Sequence, residues 1–250
     1  MAELLREWDL TADDCADEAD DRADDGARCA VVPVRTGDGR AAVLKVARPD
    51  EDSGFEDSAL EHLALRHWAG NGAVVLLRAD PHRHALLLER LGDEDLSGTW
   101  DVEACEIVAG LYARLHVPAP PQLRTLGSLV QGWTDDLRRL DRGAPLPRRL
   151  VEQAISLGTA LARDPASNGT LIHTDLHYAN VLAAEREPWL AIAPKPLSGD
   201  PHYEVAPCCG TGGTRSPTRS GRAYGGASTR PSTPRASTRT GPGIGWCSAR

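Results

Sequence analysis

After Pro207 the composition of this chain changes abruptly, and that break limits what can fold. Residues 208–250, CCGTGGTRSPTRSGRAYGGASTRPSTPRASTRTGPGIGWCSAR, contain no Leu, Val, Asp, Glu or Lys, and Ile244 is their one large aliphatic side chain. Such a segment cannot bury enough apolar area to offset the entropy of ordering it. It is expected to be disordered, and three origins fit it: a flexible tail, an Arg/Gly-rich arm with only Tyr224 and Trp246 able to stack on bases, or an out-of-frame reading of GC-rich DNA. The fold must therefore be built within residues 1–207. With the tail's seven arginines set aside from the 28 basic residues, 21 basic against 36 acidic residues leave that part at −15. This balance argues against a nucleic-acid partner and suits a cationic small molecule.

Residues 1–207 are long enough for one large domain or two lobes with a real core. Their first half is strand-rich. CAVVPVR and AAVLKVA flank TGDG, whose Asp38-Gly39 signals a hairpin turn, so residues 29–35 and 41–47 read as antiparallel strands. FEDSALEHLALRHW, residues 55–68, sets Leu60, Leu63, Ala64 and Trp68 at helical spacing. AVVLLRAD and HALLLERL then read as two more strands. The segment DDCADEADDRADDGAR, residues 13–28, holds eight acids and reads as a solvated surface, with Gly26 available for a phosphate-covering turn.

From Thr99 the apolar period changes to that of a helix. Thr99 is the expected N-cap of a helix through Ala104, Val108, Leu111 and Leu115, ended by Pro118. Val130, Trp133, Leu137 and Leu140 mark a second helix. Leu150, Ala154, Leu157 and Leu161 mark a third, entered through Pro147, and both stripes are expected to face a core. The opening MAELLREWDL lacks a basic region, and no apolar run is long enough to span a bilayer, so no membrane association and a cytoplasmic location are expected. The six cysteines form no CxxC pair, which argues against zinc and a disulfide framework.

The chemistry concentrates in LIHTDLHYANVLAAEREPWLAIAPKP, residues 171–196. Asp175 can accept the proton of an attacking hydroxyl, and Asn180, five residues on, can offer a carbonyl oxygen to Mg²⁺. The spacing H-x-D-x-x-x-x-N matches the catalytic loop of protein kinases. VLAA and WLAI bracket the polar turn EREP as a hairpin. Pairing Ala184 with Trp189 sets Val181 opposite Ile192 and Asn180 opposite position 193, where a second metal ligand is expected. Position 193 is an alanine.

Five stretches in order, AVLKVA, ALEHLALRHWAGNGAVVLL, ALLLERL, LIHTDLHYANVLAAEREPWLAI and PKPLSGDP, resemble the aminoglycoside phosphotransferase branch of the protein-kinase-like superfamily. The resemblance is nearest to the streptomycin 6-kinase and hydroxyurea phosphotransferase family. It implies an α+β, bilobed protein-kinase-like fold: a β-rich nucleotide-binding lobe over residues 1–90 and a helical lobe with the catalytic loop over 91–207. The implied activity moves the γ-phosphoryl group of ATP, with Mg²⁺, to an alcohol group. Streptomycin is the first expected acceptor, and hydroxyurea or another small hydroxyl compound is the alternative. Lys45 resembles the strand lysine that holds the α- and β-phosphates. Glu61 is its expected helix partner, with Glu56 on the same expected helix. Leu88, Glu89 and Arg90 resemble the hinge, where backbone groups read adenine. Asp175 is similar to the catalytic base, His173 to the histidine that braces its loop, Asn180 to a Mg²⁺ ligand and Glu204 to the acid anchoring the loop. His177 is set by the pattern alone.

Two departures stand out. The resemblance implies an aspartate in IDPKP, and this chain reads IAPKP; a methyl group cannot coordinate Mg²⁺. Asp200, seven residues on, could replace it only by reaching the site through a bent turn. The resemblance also implies further helices after GDP that complete the helical lobe, so that lobe and its acceptor site are expected to be incomplete. A nucleotide-binding remnant without transferase activity is the alternative to an active enzyme.

Overall fold

The computed structural model describes residues 1–13, 29–47, 60–141 and 143–205. Gly26, Glu56 and the segment 208–250 lie outside them. The described residues begin with helix α1 (Ala2–Glu7) and a five-stranded antiparallel sheet: β1 (Leu10–Ala12), β2 (Cys29–Thr36), β3 (Ala41–Ala47), β4 (Leu76–Asp80) and β5 (Ala85–Glu89). The strand order is β1-β2-β3-β5-β4. The β2–β3 hairpin turns at Gly39, whose φ of 83° is costly for residues with a Cβ.

Alternation along β3 gives the sheet two different faces. Ala42 and Leu44 point to one side, where Leu4, Trp8 and Leu10 of the N-terminal segment cover them together with Val34, Ala85 and Leu87. Val43 points to the other side, into a larger core with Leu86, Leu88 and helix α2 (Glu61–Trp68). That core continues without a break into the second half of the chain through Leu111, Leu115, Leu171, Leu176, Leu182 and Leu190. Lys45 falls on this inner face by period. The indole nitrogen of Trp68 donates to the carbonyl of Leu115 over 2.8 Å, tying α2 to the end of the next helix.

Three helices follow: α3 (Asp101–Leu115), α4 (Leu126–Arg139) and α5 (Arg148–Arg163). Helix α3 is capped at Trp100 and not at Thr99, because the backbone of Thr99 closes the preceding turn on Leu96. Helix α4 starts at Thr125, whose hydroxyl accepts from the Ser128 N–H. The apolar stripes of α4 and α5 correct the expectation drawn from periodicity. Trp133, Leu150, Leu157 and Leu161 are each about half exposed, and the buried contact of α5 runs along Val151 and Gly158. Gly158 lies so close to Thr134 that an added Cβ would sit 2.3 Å from the threonine hydroxyl. The helices thus meet through small groups, and α5 turns Leu150, Leu157 and Leu161 outward while Leu126 of α4 stays buried. Among the described residues, no helix is long and apolar enough to cross a membrane.

Two short ribbons complete the described structure and hold the candidate site. β6 (Thr170–Ile172) pairs with β9 (Leu197–Gly199), and β7 (Val181–Ala183) with β8 (Trp189–Ala191).

Candidate active site

The loop between β6 and β7 carries His173, Asp175 and Asn180, and it is braced from below by buried polar groups. His173 is fully buried. Its Nε2 donates to the carbonyl of Ile192 over 3.0 Å, and its Nδ1 accepts from the Asp175 N–H over 3.3 Å. These partners require the neutral Nε2–H tautomer. Burial depresses the imidazole pKa, outweighing the nearby carboxylate of Glu204, which acts in the opposite sense. Thr174 has φ of 60°, an uncommon conformation for a β-branched residue. Its N–H donates to Glu204 Oε1 over 2.7 Å, while Glu204 Oε2 lies 2.6 Å from His116 Nε2. Glu204 therefore anchors the loop's backbone.

The sign of the His173 shift fixes a pH dependence. A depressed folded-state pKa contributes stability that is fully present above the ordinary value near 6.5 and is lost as pH falls below it toward the folded-state pKa, because the unfolded chain takes up the proton first. Asparagine can make both hydrogen bonds without titrating. The stability lead of the parent over His173→Asn should therefore shrink between pH 7.5 and 5.5 in urea denaturation; a pH-independent difference would refute the assignment.

Asp175 and Asn180 meet directly. Asn180 Nδ2 donates to the Asp175 carbonyl over 2.8 Å and lies 3.5 Å from Asp175 Oδ2. With its nitrogen so used, Asn180 has Oδ1 as its one ligating atom. The hairpin beside them is shifted by one residue from the expected register. Ala183 pairs with Trp189, and Val181 with Ala191, so Asn180 meets Ile192 through an Ile192 N–H to Asn180 O bond of 2.9 Å. Ala183 is fixed from its other side, accepting from Gly92 N–H and donating to Glu94 O, and Ala184 joins the turn. Ala193 consequently lies one step past the ladder, with φ of 54°. It does not oppose Asn180, contrary to the expected pairing.

Two residues beyond it, Lys195 Nζ lies 3.0 Å from Asp175 Oδ2. Asp200 accepts from the His202 N–H over 2.9 Å and from its imidazole over 2.7 Å, so it serves a turn of its own. Among the described residues, no group of three or more His, Cys, Asp or Glu side chains can hold a metal ion. An amide oxygen and a carboxylate already paired with an ammonium do not fit Mg²⁺, which requires more carboxylate charge than this.

On the sheet, Lys45 Nζ is 2.7 Å from Glu61 Oε2, with both side chains largely buried. Glu61 Oε1 is buried and has no hydrogen-bond partner. Leu88 is fully buried. The side chains of Glu89 and Arg90 are both occupied by the protein itself, and the expectation of a free backbone at all three residues is corrected: Leu88 is paired with Val43 and Leu76, the Glu89 N–H donates to the Val75 carbonyl over 3.0 Å, and only Arg90 lies past the strand. Arg90 donates to Asp13 Oδ2 over 2.6 Å and to the carbonyls of Val34 and Ala42. Glu89 accepts from the Val75 N–H and from Arg186, whose guanidinium also reaches the carbonyls of Gly70 and Ala73.

Sequence reasoning missed Arg186 and Lys195. Both carried a local signal, a charged EREP turn and a lysine held between two prolines, but neither signal named a partner.

The family described as aminoglycoside/hydroxyurea antibiotic resistance kinase matches residues 18–217, ten residues past the composition break. A streptomycin 6-kinase of Streptomyces glaucescens is 40% identical over 212 residues, covering 83% of this chain and 64% of that protein. A hydroxyurea phosphotransferase of Kitasatospora aureofaciens is 42% identical over 217 residues, covering 83% and 59%. The chain thus spans about two thirds or less of the length of these relatives. Among solved structures, the aminoglycoside phosphotransferase APH(4)-Ia is similar in fold, with a TM-score of 0.53 at 18% identity, over 82% of this chain and 74% of that one.

Proposed function

Because the chain belongs to the aminoglycoside/hydroxyurea antibiotic resistance kinase family, we propose that its site serves ATP-dependent phosphoryl transfer to an alcohol group, with streptomycin as the acceptor. The observation that carries the reading is the Asp175–Asn180 contact on a loop braced by His173 and Glu204. It sets a carboxylate where it can take a hydroxyl proton. Lys45, oriented by Glu61, would hold the α- and β-phosphates, and the backbone just past β5, at Arg90, would face adenine. Asp175 would take the proton of the acceptor hydroxyl as its oxygen attacks the γ-phosphorus. The acidic balance of residues 1–207 supports a guanidinium-bearing acceptor such as streptomycin over uncharged hydroxyurea.

Mg²⁺ has no suitable donor set at this site, so no step is assigned to it. A specific observation, the methyl group of Ala193, also favours a second reading, a nucleotide-binding protein with little transferase activity.

ATP titration of the parent chain and Lys45→Met tests the nucleotide half, with a loss of about tenfold or more expected from removing a charged phosphate contact. Streptomycin-dependent release of ADP, compared with hydroxyurea and lost in Asp175→Asn, tests the acceptor half. Equal ATP affinities would sink the first half. ADP release that ignores streptomycin, or survives Asp175→Asn, would sink the second.

A further inference from the structure

The only cation that an ion pair places on the candidate base, among the described residues, is Lys195. Its Nζ lies 3.0 Å from Asp175 Oδ2. The backbone beneath it is pinned at both polar groups. The Lys195 N–H donates to the His173 carbonyl over 3.0 Å, and the Lys195 carbonyl accepts from the Thr174 hydroxyl over 2.5 Å. Pro194 and Pro196 flank it, each with a fixed φ and no N–H of its own. The lysine therefore leaves from a fixed point on the connection between β8 and β9, tied by these two hydrogen bonds to the loop that carries His173, Thr174 and Asp175. Its side chain is half exposed, so the ammonium remains open to a ligand.

Resting on the phosphotransferase reading, we propose that Lys195 is a phosphate-contacting residue, supplying to the γ-phosphoryl group the positive charge that Ala193 cannot recruit as a metal. The geometry follows from the work of Asp175. A base that takes a hydroxyl proton must lie within hydrogen-bond reach of the attacking oxygen, and that oxygen must lie close to the γ-phosphorus. An ammonium 3.0 Å from that carboxylate borders the same space. One N–H of Lys195 holds Asp175, and the ammonium has two further donors for phosphoryl oxygens. During transfer the acceptor oxygen bonds to phosphorus and the bond from phosphorus to the β–γ bridging oxygen breaks. The bonding pair leaves with ADP and the hydroxyl proton passes to Asp175. Lys195 stays protonated throughout and neutralises charge on the moving group.

The proposal predicts discrimination between ATP and ADP without a divalent cation. Equilibrium binding of each nucleotide to the full chain in EDTA should show ATP affinity about tenfold lower in Lys195→Met, ADP affinity unchanged, and most of the ATP loss recovered in Lys195→Arg. Adding Mg²⁺ should leave parent affinities within a factor of about two. A purely structural role would lower both nucleotides together, and that result overturns the proposal. So does an ATP-to-ADP ratio that Lys195→Met leaves unchanged, although nucleotide binding would then still support the phosphotransferase reading. Failure of the parent to bind either nucleotide overturns that reading and this proposal with it.

Discussion

Replacing Ala193 by Asp should create Mg²⁺-dependent ATP binding, with affinity in Mg²⁺ at least about 10²-fold above affinity in EDTA, the scale of one well-placed electrostatic group. The parent should show no such dependence. The expectation does not rely on cross-strand pairing, since the register sets Asn180 against Ile192. It relies on the path of the chain. Ile192 O is held by His173, and Lys195 N–H by the His173 carbonyl, so residue 193 is fixed between two bonds to the base-bearing loop. A carboxylate there joins Asn180 Oδ1 and Asp175 and supplies the charge that the metal lacks at present. Titration in Mg²⁺ and in EDTA reads the effect directly; identical curves for the parent and Ala193→Asp would remove position 193 from any metal site.

Loss of Arg186 should be the most damaging single substitution in the polar part of the structure. Its guanidinium lies 2.8 Å from Glu89 Oε1 and also binds Glu187 and the carbonyls of Gly70 and Ala73. These contacts join the turn of the β7–β8 hairpin to the end of β5 and the segment before β4. Glu89 is buried, so removing its partner strands a carboxylate whose remaining bond comes from Val75 N–H. Arg186→Met should cost about 2–4 kcal/mol, which corresponds to roughly 5–12 °C in melting temperature for a chain of this size. Adding Glu89→Gln to Arg186→Met should recover part of that loss, because the stranded charge disappears. A thermal melt in which the single and double variants match the parent would refute the clasp.

The sheet was legible because its signals are local. Asp38-Gly39 dictates a tight turn, and the alternation in AAVLKVA sorts Ala42 and Leu44 from Val43 and Lys45 with no knowledge of the rest of the chain. The helices were legible in period but not in orientation. Leu150, Leu157 and Leu161 share a face by spacing, yet spacing does not say what covers a face; the approach of α4 to α5 was decided by the small groups at Gly158 and Thr134. The Asp175–Asn180 contact spans five positions, so the pattern of that loop could be recognised, whereas its brace on Glu204, 30 positions from Thr174, rested on the resemblance. The hairpin register slipped by one because Ala183 is claimed by Gly92 and Glu94, about ninety positions upstream, and a strand pattern of three residues cannot report that. The Arg186–Glu89 pair spans 97 positions and was invisible for the same reason.

The left-handed backbone at Ala193 has a genetic consequence. Alanine gains nothing from φ of 54°, whereas aspartate and asparagine are the non-glycine residues that most readily accept that region. A change to the acid thus meets a main chain already bent to receive it and relieves strain rather than adding it. Alanine and aspartate codons that end in the same pyrimidine differ only at the second base. For such a codon a carboxylate at position 193 is a single point mutation away, with no backbone barrier to it.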